Sequence, residues 1–219
     1  MENILTDLKL FHYPRACSRV TMVALETVGA QYEDEVINLM AGDHYKPAYK
    51  NTNPRGKIPA LLIDGTLLTE NVAILTWLNE TYPEAGLLPR VEGAFAKVNQ
   101  LSDLVWISSV WHPTVRANKM PSRWTMGDVE PVRERGTHLM APLITQLETR
   151  LATSEWYYEG TWSIVDMYLY WCYTTAEEGK FSLEGFDHIA RHRHAQEQMP
   201  AFKAAIAREQ MHHTSGSAV

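Results

Sequence analysis

Glu70 and Asn71 are two polar residues that stand where a helical pattern begins. The apolar residues Ile74, Leu75 and Leu78 follow with helical spacing, so the pattern predicts a helix whose first turn includes Asn71. The backbone amides at a helix N-terminus attract carboxylates, and a neighbouring glutamate attracts an ammonium group. Together these residues could bind the α-amino-acid end of a ligand. An ordinary helix cap with a solvent-facing acid is the alternative interpretation.

A β-hairpin is predicted immediately before this pair. The apolar run Ala60–Ile63 is followed by Asp64-Gly65, and Thr66–Leu68 forms the return strand. Asp-Gly favours a two-residue turn because glycine accepts a positive φ. Strand, turn, strand and helix would thus extend from Lys57 to Tyr82.

Cys17 and Ser18 form a second group of candidate residues. They follow the short predicted strand Leu8–Tyr13 and open a helical pattern that extends to Val28. A cysteine at a helix N-terminus can have a low pKa and act as a thiolate. Cys17 has no second cysteine at C-x-x-C spacing, so it could form a mixed disulfide but not a disulfide within that motif. The alternative is that Cys17 is a buried bystander thiol.

The order of the predicted elements indicates an α/β N-terminal domain with about four strands, at residues 1–83. The segment Pro83–Pro89, with two prolines and a glycine, marks a linker at 84–92. Residues 93–219 lack strand signals and are predicted to form an all-helical domain. Its predicted helices cover Phe95–Val115, Asp128–Leu151, Ser163–Tyr173 and Met199–Glu209, with a loose tail from Met211.

Composition argues against several kinds of partner. The 219-residue chain has a net charge of −6 and no evident basic stripe, which argues against nucleic-acid binding. No apolar run is long enough to cross a bilayer, and Met1–Phe11 lacks the pattern of a signal peptide. The two cysteines, Cys17 and Cys172, have no metal-ligand spacing, so we expect a cytoplasmic protein. The histidines of His188–His194 would permit a metal by spacing alone, but no acid or thiol completes the set, and a solvated basic turn is favoured.

Four short motifs resemble those of cytosolic glutathione S-transferases. They are P-R-A-C-S at Pro14–Ser18, N-P-R-G-K-I-P-A at Asn53–Ala60, L-T-E-N at Leu68–Asn71 and S-I-V-D at Ser163–Asp166. The first is most similar to the bacterial type, which carries a cysteine or serine at the start of the first helix. The last also has the form of a helix capping box. The resemblance implies a thioredoxin-like N-terminal domain, an all-α C-terminal domain, a homodimer and a cis peptide bond before Pro59.

The resemblance also implies a glutathione site. The backbone of the cysteinyl residue of glutathione would pair with Ile58 just before Pro59, and Lys57 would approach a carboxylate of glutathione. Glu70 would bind the γ-glutamyl ammonium, while Asn71 and the helix amides would take the γ-glutamyl carboxylate. The family most often has serine at this last position, so Asn71 departs from its pattern. Glutathione would be a co-substrate, and no metal would be needed.

Cys17 and Ser18 are the catalytic candidates that the resemblance implies. The thiol of glutathione has a pKa of about 8.5, and lowering it to about 6.5 requires about 2.7 kcal/mol. Hydrogen bonds to a charged group contribute roughly 1.5–3 kcal/mol each, so one or two donors from Cys17, Ser18 or the helix N-terminus would suffice. Tyr13 ends the first strand, further upstream than expected for a catalytic tyrosine.

The helical domain would contribute the hydrophobic substrate pocket. Trp111, His112 and Arg116 lie near the end of its first long helix, and His112 and Arg116 share a helix face. A histidine occurs near this place in bacterial relatives of the cysteine type. Tyr13 is a further candidate for the pocket.

The leading interpretation is a glutathione transferase that activates the thiolate for attack on a small hydrophobic electrophile. A glutathione-dependent enzyme that cleaves ethers or thioethers would share the same motifs. A thiol–disulfide oxidoreductase that uses Cys17 is a second class, and a non-catalytic binding protein that kept the fold is a third. The presence of Glu70 and of the Lys57-Ile58-Pro59 turn argues against the third class, because a pure scaffold needs no amino-acid site.

Overall fold

The computed structural model describes residues 7–215, so the N-terminal residues 1–6 of the segment considered for a signal peptide lie outside it. The described residues form two compact units. The first contains the residues up to Leu87 together with those from Met199, and the second is Leu88–Gln198. The sequence analysis had placed residues 199–219 in the helical domain, whereas the contacts group this segment with the first unit. No helix in the described part of the chain is long and apolar enough to cross a membrane.

A four-stranded mixed sheet forms the centre of the first unit. Its order is β2-β1-β3-β4, with β1 and β2 parallel and the other neighbours antiparallel. Asp64 and Gly65 have positive φ angles of 49° and 78°, which confirms the predicted tight turn between β3 and β4. The strands are β1 (Leu8–His12), β2 (Glu33–Val36), β3 (Ala60–Ile63) and β4 (Thr66–Thr69).

Helices complete the first unit and give it the predicted thioredoxin-like architecture. They are α1 (Ser18–Thr27), the short α2 (Pro47–Lys50), α3 (Asn71–Thr81) and α9 (Pro200–Ser215). Helix α1 packs against α3 and α9 and buries almost its whole first two turns. A separate apolar cluster contains Phe11, Ile37, Tyr49 and Ala60.

Two ion-paired arginines explain why α9 belongs to the first unit. Arg19 on α1 pairs with Glu209 at 2.6 Å, and Arg208 pairs with Asp34 on β2 at 2.8 Å. The carboxylates of Glu209 and Asp34 are almost fully buried, so these contacts are shielded from solvent. The predicted loose tail is wrong for residues 211–215, which are helical, and residues 216–219 lie outside the described chain.

The described part of the second unit is all-helical, as predicted. The long helix expected at Phe95–Val115 is interrupted by a π-helical turn at Ile107–Trp111. Pro113 follows this turn, and its ring would clash with the carbonyl of residue 109 in a regular α-helix. The helices are α4 (Ala94–Trp106), α5 (His112–Lys119), α6 (Glu130–Leu151), α7 (Ile164–Glu178) and α8 (Asp187–Gln198).

Helix α7 is the buried centre of the second unit and begins with the predicted capping box. The Asp166 carboxylate accepts hydrogen bonds from the backbone N–H of Ser163 at 2.8 Å and from its hydroxyl at 2.9 Å. It also lies 3.1 Å from Nε2 of His192 on α8, and the other ring nitrogen of His192 lies 3.0 Å from the hydroxyl of Tyr173. His192 is fully buried, so the predicted solvated turn is wrong at this residue.

Candidate functional site

Cys17 lies next to Ile58 in the first unit. Cys17 is the residue that precedes α1, and its thiol donates to the carbonyl oxygen of Ile58 at an Sγ–O distance of 3.6 Å. The peptide bond between Ile58 and Pro59 is cis, as the resemblance implied. The fold thus brings Cys17 into contact with Ile58, which lies 41 residues further along the chain. Cys17 is almost completely buried.

The side chain of Ser18 is hydrogen-bonded to the backbone of Tyr13. Its hydroxyl accepts from the N–H of Tyr13 at 3.1 Å and lies 3.2 Å from the carbonyl oxygen of the same residue, to which it donates. Ser18 is fully buried. Its observed bonds therefore tie the end of β1 to the start of α1. The Tyr13 side chain is half-buried.

Asn71 is buried at the start of α3, and both ends of its side-chain amide are bonded within the unit. Its Nδ2 donates to the carbonyl of Cys17 at 3.0 Å, and its Oδ1 accepts from the hydroxyl of Thr21 at 2.6 Å. The side chain therefore connects α3 to α1. The sequence analysis missed Thr21, which carries no motif signal of its own.

Glu70 is exposed and has a positive φ of 74°, with ψ of 126°. Such a backbone conformation costs a non-glycine residue on the order of 1–3 kcal/mol and is concentrated at functional sites. Arg55 donates to the Thr69 hydroxyl at 2.7 Å and lies 3.5 Å from the Glu70 carboxylate. The sequence analysis quoted Arg55 only as part of a motif and did not expect this contact.

Two side chains form hydrogen bonds to the turn that precedes the cis peptide bond. The carbonyl of Lys57 accepts from the hydroxyl of Tyr49 at 2.6 Å and from the amide of Asn53 at 2.8 Å. Gly56 has a φ of +60°, and a Cβ added to it would lie 2.7 Å from the carbonyl oxygen of His44. Only glycine fits there without displacement of the backbone. The Lys57 side chain is exposed.

His112 and Arg116 are bonded to each other in the second unit. Arg116 Nε lies 2.7 Å from His112 Nε2, and His112 Nδ1 lies 2.8 Å from the Tyr168 hydroxyl. A guanidinium can only donate, so Nε2 must accept and the ring proton is assigned to Nδ1. Burial, followed by the charges of Arg116 and Arg123, lowers the pKa of His112 to about 3, so this imidazole is neutral at physiological pH.

Aromatic rings surround this pair, and Trp111 belongs to a different part of the unit. The His112 ring lies 4.5 Å from the ring of Trp171, and the Arg116 guanidinium lies 5.9 Å from a ring centre of the same tryptophan. Trp111 is fully buried and packs edge-on against Trp106. The described residues contain no group of three or more side chains that could hold a metal ion.

Comparisons with known proteins agree with this arrangement. Residues 6–80 match the family model described as the glutathione S-transferase N-terminal domain. The maleylacetoacetate isomerase of Pseudomonas aeruginosa is 30% identical over 203 residues, which cover 90% of this chain and 95% of that protein. Glutathione S-transferase GstA of Escherichia coli O157:H7 is 29% identical over 92% of this chain and 98% of its own.

A solved structure extends the likeness to three dimensions. A sphingomonad glutathione S-transferase in complex with glutathione superposes with a TM-score of 0.81 and 28% identity, over 93% of this chain and 99% of that one. The match to the Pseudomonas protein covers nearly the whole length of both sequences. The match to the family model includes Cys17, Ile58 and Glu70. The chain therefore belongs to the glutathione S-transferase family.

Proposed function

We propose that this protein is a glutathione transferase that activates the thiol of glutathione for attack on a small hydrophobic electrophile. The observation that carries the proposal is the 3.6 Å contact between the Cys17 thiol and the carbonyl of Ile58, beside a cis proline. It brings a potential hydrogen-bond donor to the backbone along which the cysteinyl residue of glutathione would bind. The sphingomonad relative, solved with glutathione, supports the same co-substrate here.

Glutathione would bind to one face of the first unit. Ile58 would pair with its cysteinyl backbone in front of Pro59, and Lys57 would approach one of its carboxylates. Glu70 would take the ammonium of the γ-glutamyl residue. Since the Asn71 side chain is bonded to Cys17 and Thr21, we assign the γ-glutamyl carboxylate to the backbone amides at the start of α3.

Cys17 would be the donor that lowers the pKa of the glutathione thiol. The Ser18 hydroxyl already donates its proton to the carbonyl of Tyr13, so it could donate to glutathione only if that internal hydrogen bond were broken. A charge-assisted hydrogen bond from Cys17, with help from the start of α1, is of the size that the reaction requires. No metal takes part in this step.

A thiol–disulfide oxidoreductase is the second candidate, and the position of Cys17 favours it. In that reaction the Cys17 thiolate attacks one sulfur of a glutathione mixed disulfide, and the other sulfur leaves as a thiolate. A second glutathione thiolate then attacks the Cys17–glutathione bond, releases Cys17 and leaves oxidised glutathione. A reaction that cleaves ethers or thioethers, or an isomerisation like that named for the Pseudomonas relative, would use the activated glutathione without this cycle.

The second substrate would be met by residues of the helical unit. We propose His112 and Arg116 for this role. A neutral His112 that accepts from Arg116 holds the guanidinium in one orientation beside Trp171. Such an arrangement would position a substrate and would not supply a proton from His112.

A homodimer is proposed from the exposed face of α4. Phe95 is 86% exposed and Val98 is 61% exposed, and Leu101 and Val105 continue the same helix face. A continuous apolar stripe of this kind marks an interaction surface in a soluble protein. We propose that a second copy of the chain covers it, and that the dimer is cytoplasmic.

Calorimetric titration with glutathione tests the proposed function. The wild type should bind with micromolar-to-millimolar affinity, and Glu70→Ala should lose most of that affinity because the ammonium loses its partner. Glu80→Ala, which removes an exposed acid from the other end of α3, is the matched control and should bind like the wild type. If the wild type does not bind glutathione, the transferase proposal fails and a non-catalytic binding protein becomes the better interpretation.

A further inference from the structure

Thr21 makes a side-chain hydrogen bond unlike that of its neighbour on the same helix. Thr27, like several threonines of other helices, donates to the carbonyl four residues earlier, which is that of Val23 at 2.7 Å. The Thr21 hydroxyl donates instead to Oδ1 of Asn71 on α3 at 2.6 Å. The carbonyl four residues before Thr21 belongs to Cys17, and it accepts from Nδ2 of the same asparagine at 3.0 Å. The Asn71 amide thus bridges the Thr21 hydroxyl and the Cys17 carbonyl.

The two partners of Asn71 determine how its amide is oriented. A backbone carbonyl only accepts hydrogen bonds, so the NH₂ group of Asn71 faces Cys17 and the amide oxygen faces the hydroxyl of Thr21. Thr21 is fully buried and Asn71 is almost fully buried, so neither bond competes with bulk water. Without the Thr21 hydroxyl the buried amide oxygen would lose its donor, and the amide would turn away from Cys17 to find another.

The backbone of Cys17 is fixed on both sides. Its carbonyl accepts from the N–H of Val20 at 3.2 Å within the first turn of α1, and Asn71 is its partner from outside this helix. The next residue, Ser18, is bonded through its hydroxyl to both backbone groups of Tyr13. The main freedom that remains for the Cys17 thiol is rotation of its side chain about χ1.

We propose that Thr21 is a positioning residue of the transferase reaction, which holds the backbone of Cys17 through Asn71 so that the thiol is aligned to donate to the sulfur of glutathione. Thr21 is fully buried, so it acts through Asn71 and not by contact with glutathione. Hydrogen bonds weaken steeply as their angle becomes less favourable, so a small tilt of the Cys17 backbone is enough to reduce the stabilisation of the thiolate. This inference rests on the proposed function, because it takes Cys17 as the donor to glutathione.

Thr21→Val tests the proposal, because valine keeps the shape of the side chain and removes the hydroxyl. The pKa of the thiol of bound glutathione is measured from the ultraviolet absorbance of the thiolate and from the pH dependence of kcat with 1-chloro-2,4-dinitrobenzene. From a wild-type value of about 6.5, the variant should raise this pKa by about one unit. Its kcat should then be about fivefold lower at pH 6.5 and almost unchanged at pH 8.5, where the thiol is ionised in both proteins.

Two further variants provide the controls. Thr27→Val removes a hydroxyl bond from the same helix that reaches neither Asn71 nor Cys17, so it should leave the pKa of bound glutathione unchanged. Thr21→Ser keeps a hydroxyl and should restore the wild-type pKa. Urea denaturation of each variant gives the folded fraction, and kcat is expressed per folded molecule, so a loss of stability alone does not imitate the change in pKa.

Alkylation of Cys17 by iodoacetamide gives a measurement that does not depend on glutathione. Mass spectrometry identifies the modified cysteine, and Thr21→Val should react several-fold faster than Thr27→Val, because the thiol is released from its contact with Ile58. A wild type that binds no glutathione refutes the transferase function, and the alkylation rates then decide by themselves whether Thr21 holds the thiol.

Three results would overturn the positioning role of Thr21. The first is a Thr21→Val protein that leaves the pKa of bound glutathione unchanged, whether or not it binds glutathione more weakly. The second is an equal rise of this pKa in Thr21→Val and Thr27→Val. The third is an equal rate of Cys17 alkylation in these two variants.

Discussion

The side-chain amide of Asn71 donates a hydrogen bond to the carbonyl oxygen of Cys17 at 3.0 Å, so the start of α3 is tied to the start of α1. The same amide accepts from the Thr21 hydroxyl at 2.6 Å. Replacement of Asn71 by alanine would leave a buried hydroxyl and a carbonyl without these partners. The carbonyl of Cys17 would still accept from the N–H of Val20 at 3.2 Å, so the orphaned Thr21 hydroxyl carries most of the cost, roughly 1–3 kcal/mol.

Asn71→Ala should therefore lower the free energy of unfolding by about 1–3 kcal/mol, as measured by urea denaturation. Asn51→Ala, at an exposed asparagine of the same unit, should change it by less than about 0.5 kcal/mol. Equal effects of the two substitutions would show that the buried bonds of Asn71 contribute nothing to stability.

Cys17 and Ser18 are expected to respond differently to substitution. Cys17→Ser keeps a hydroxyl donor beside Ile58, so conjugation activity should fall by less than about tenfold, while any disulfide reductase activity should vanish. Both activities are measured on the same preparation, with 1-chloro-2,4-dinitrobenzene and with a glutathione mixed disulfide. If Cys17→Ser lost both the conjugation activity and the reductase activity, the sulfur of Cys17 would be indispensable for both reactions.

Ser18→Ala removes the hydroxyl that joins both backbone groups of Tyr13. We expect it to lower the free energy of unfolding by about 1–3 kcal/mol. The residual activity per folded molecule should stay close to that of the wild type. A variant of normal stability that has lost activity would instead assign the catalytic hydroxyl to Ser18.

Local signals explain which parts of the structure the sequence predicted well. The hairpin after Pro59 and the helix from Asn71 depend on an Asp-Gly turn and on helical periodicity, and both lie within a short stretch of chain. The contact between Cys17 and Ile58 was not predicted, because it joins residues 41 positions apart and has no local signal. The bond between Thr21 and Asn71 joins two side chains 50 positions apart and has no local signature.

The errors have a similar physical origin. Helix α8 is strongly polar, so its composition favoured a solvated segment, and the burial of His192 follows only from the position of α7 beside it. The grouping of α9 with the first unit depends on ion pairs such as Arg19 with Glu209, which connect residues 190 positions apart. Contacts of this kind depend on tertiary packing and not on a sequence period.

His112 should make the stability of the protein depend on pH. Its pKa is about 3 in the folded protein and about 6.5 when unfolded. Below pH 6.5 the unfolded chain binds a proton that the folded protein does not, so stability decreases as the pH falls. Between pH 7 and pH 5 this group alone should cost about 2 kcal/mol.

The comparison of two variants isolates this contribution. His112→Gln removes the titrating group and should lose about 2 kcal/mol less than the wild type between pH 7 and pH 5, in urea denaturation at each pH. His194→Gln, at an exposed histidine, should follow the wild type. If the stability of the wild type and that of His112→Gln depended on pH in the same way, His112 would be protonated in the folded protein as readily as in the unfolded chain.

The exposed stripe on α4 predicts the effect of a charge on assembly. Val98→Asp places a carboxylate in the middle of the stripe, and its desolvation would oppose association. Sedimentation velocity should show a dimer for the wild type and a monomer for this variant. Met126→Asp, at an exposed methionine outside the stripe, should remain dimeric. A monomeric wild type would refute the dimer, and a dimeric Val98→Asp would place its interface elsewhere.

Asp166 should contribute more to stability than the serine that it caps. Its buried carboxylate accepts from the backbone N–H of Tyr157 at 2.6 Å, in addition to Ser163 and His192. Ser163→Ala removes one hydroxyl contact and should cost about 1 kcal/mol. Asp166→Ala leaves several buried donors without an acceptor and should cost about 3–5 kcal/mol.

Denaturant midpoints at pH 7 would measure the difference, and Ser163→Thr, which keeps the hydroxyl, provides the control for Ser163→Ala. His192→Gln adds a second comparison. This substitution and Asp166→Ala remove the same hydrogen bond, so their effects on the free energy of unfolding should overlap. Additive effects of His192→Gln and Asp166→Ala in the double variant would show that the two side chains stabilise the unit independently. A smaller combined effect would locate the coupling in the hydrogen bond between them, which joins α7 to α8.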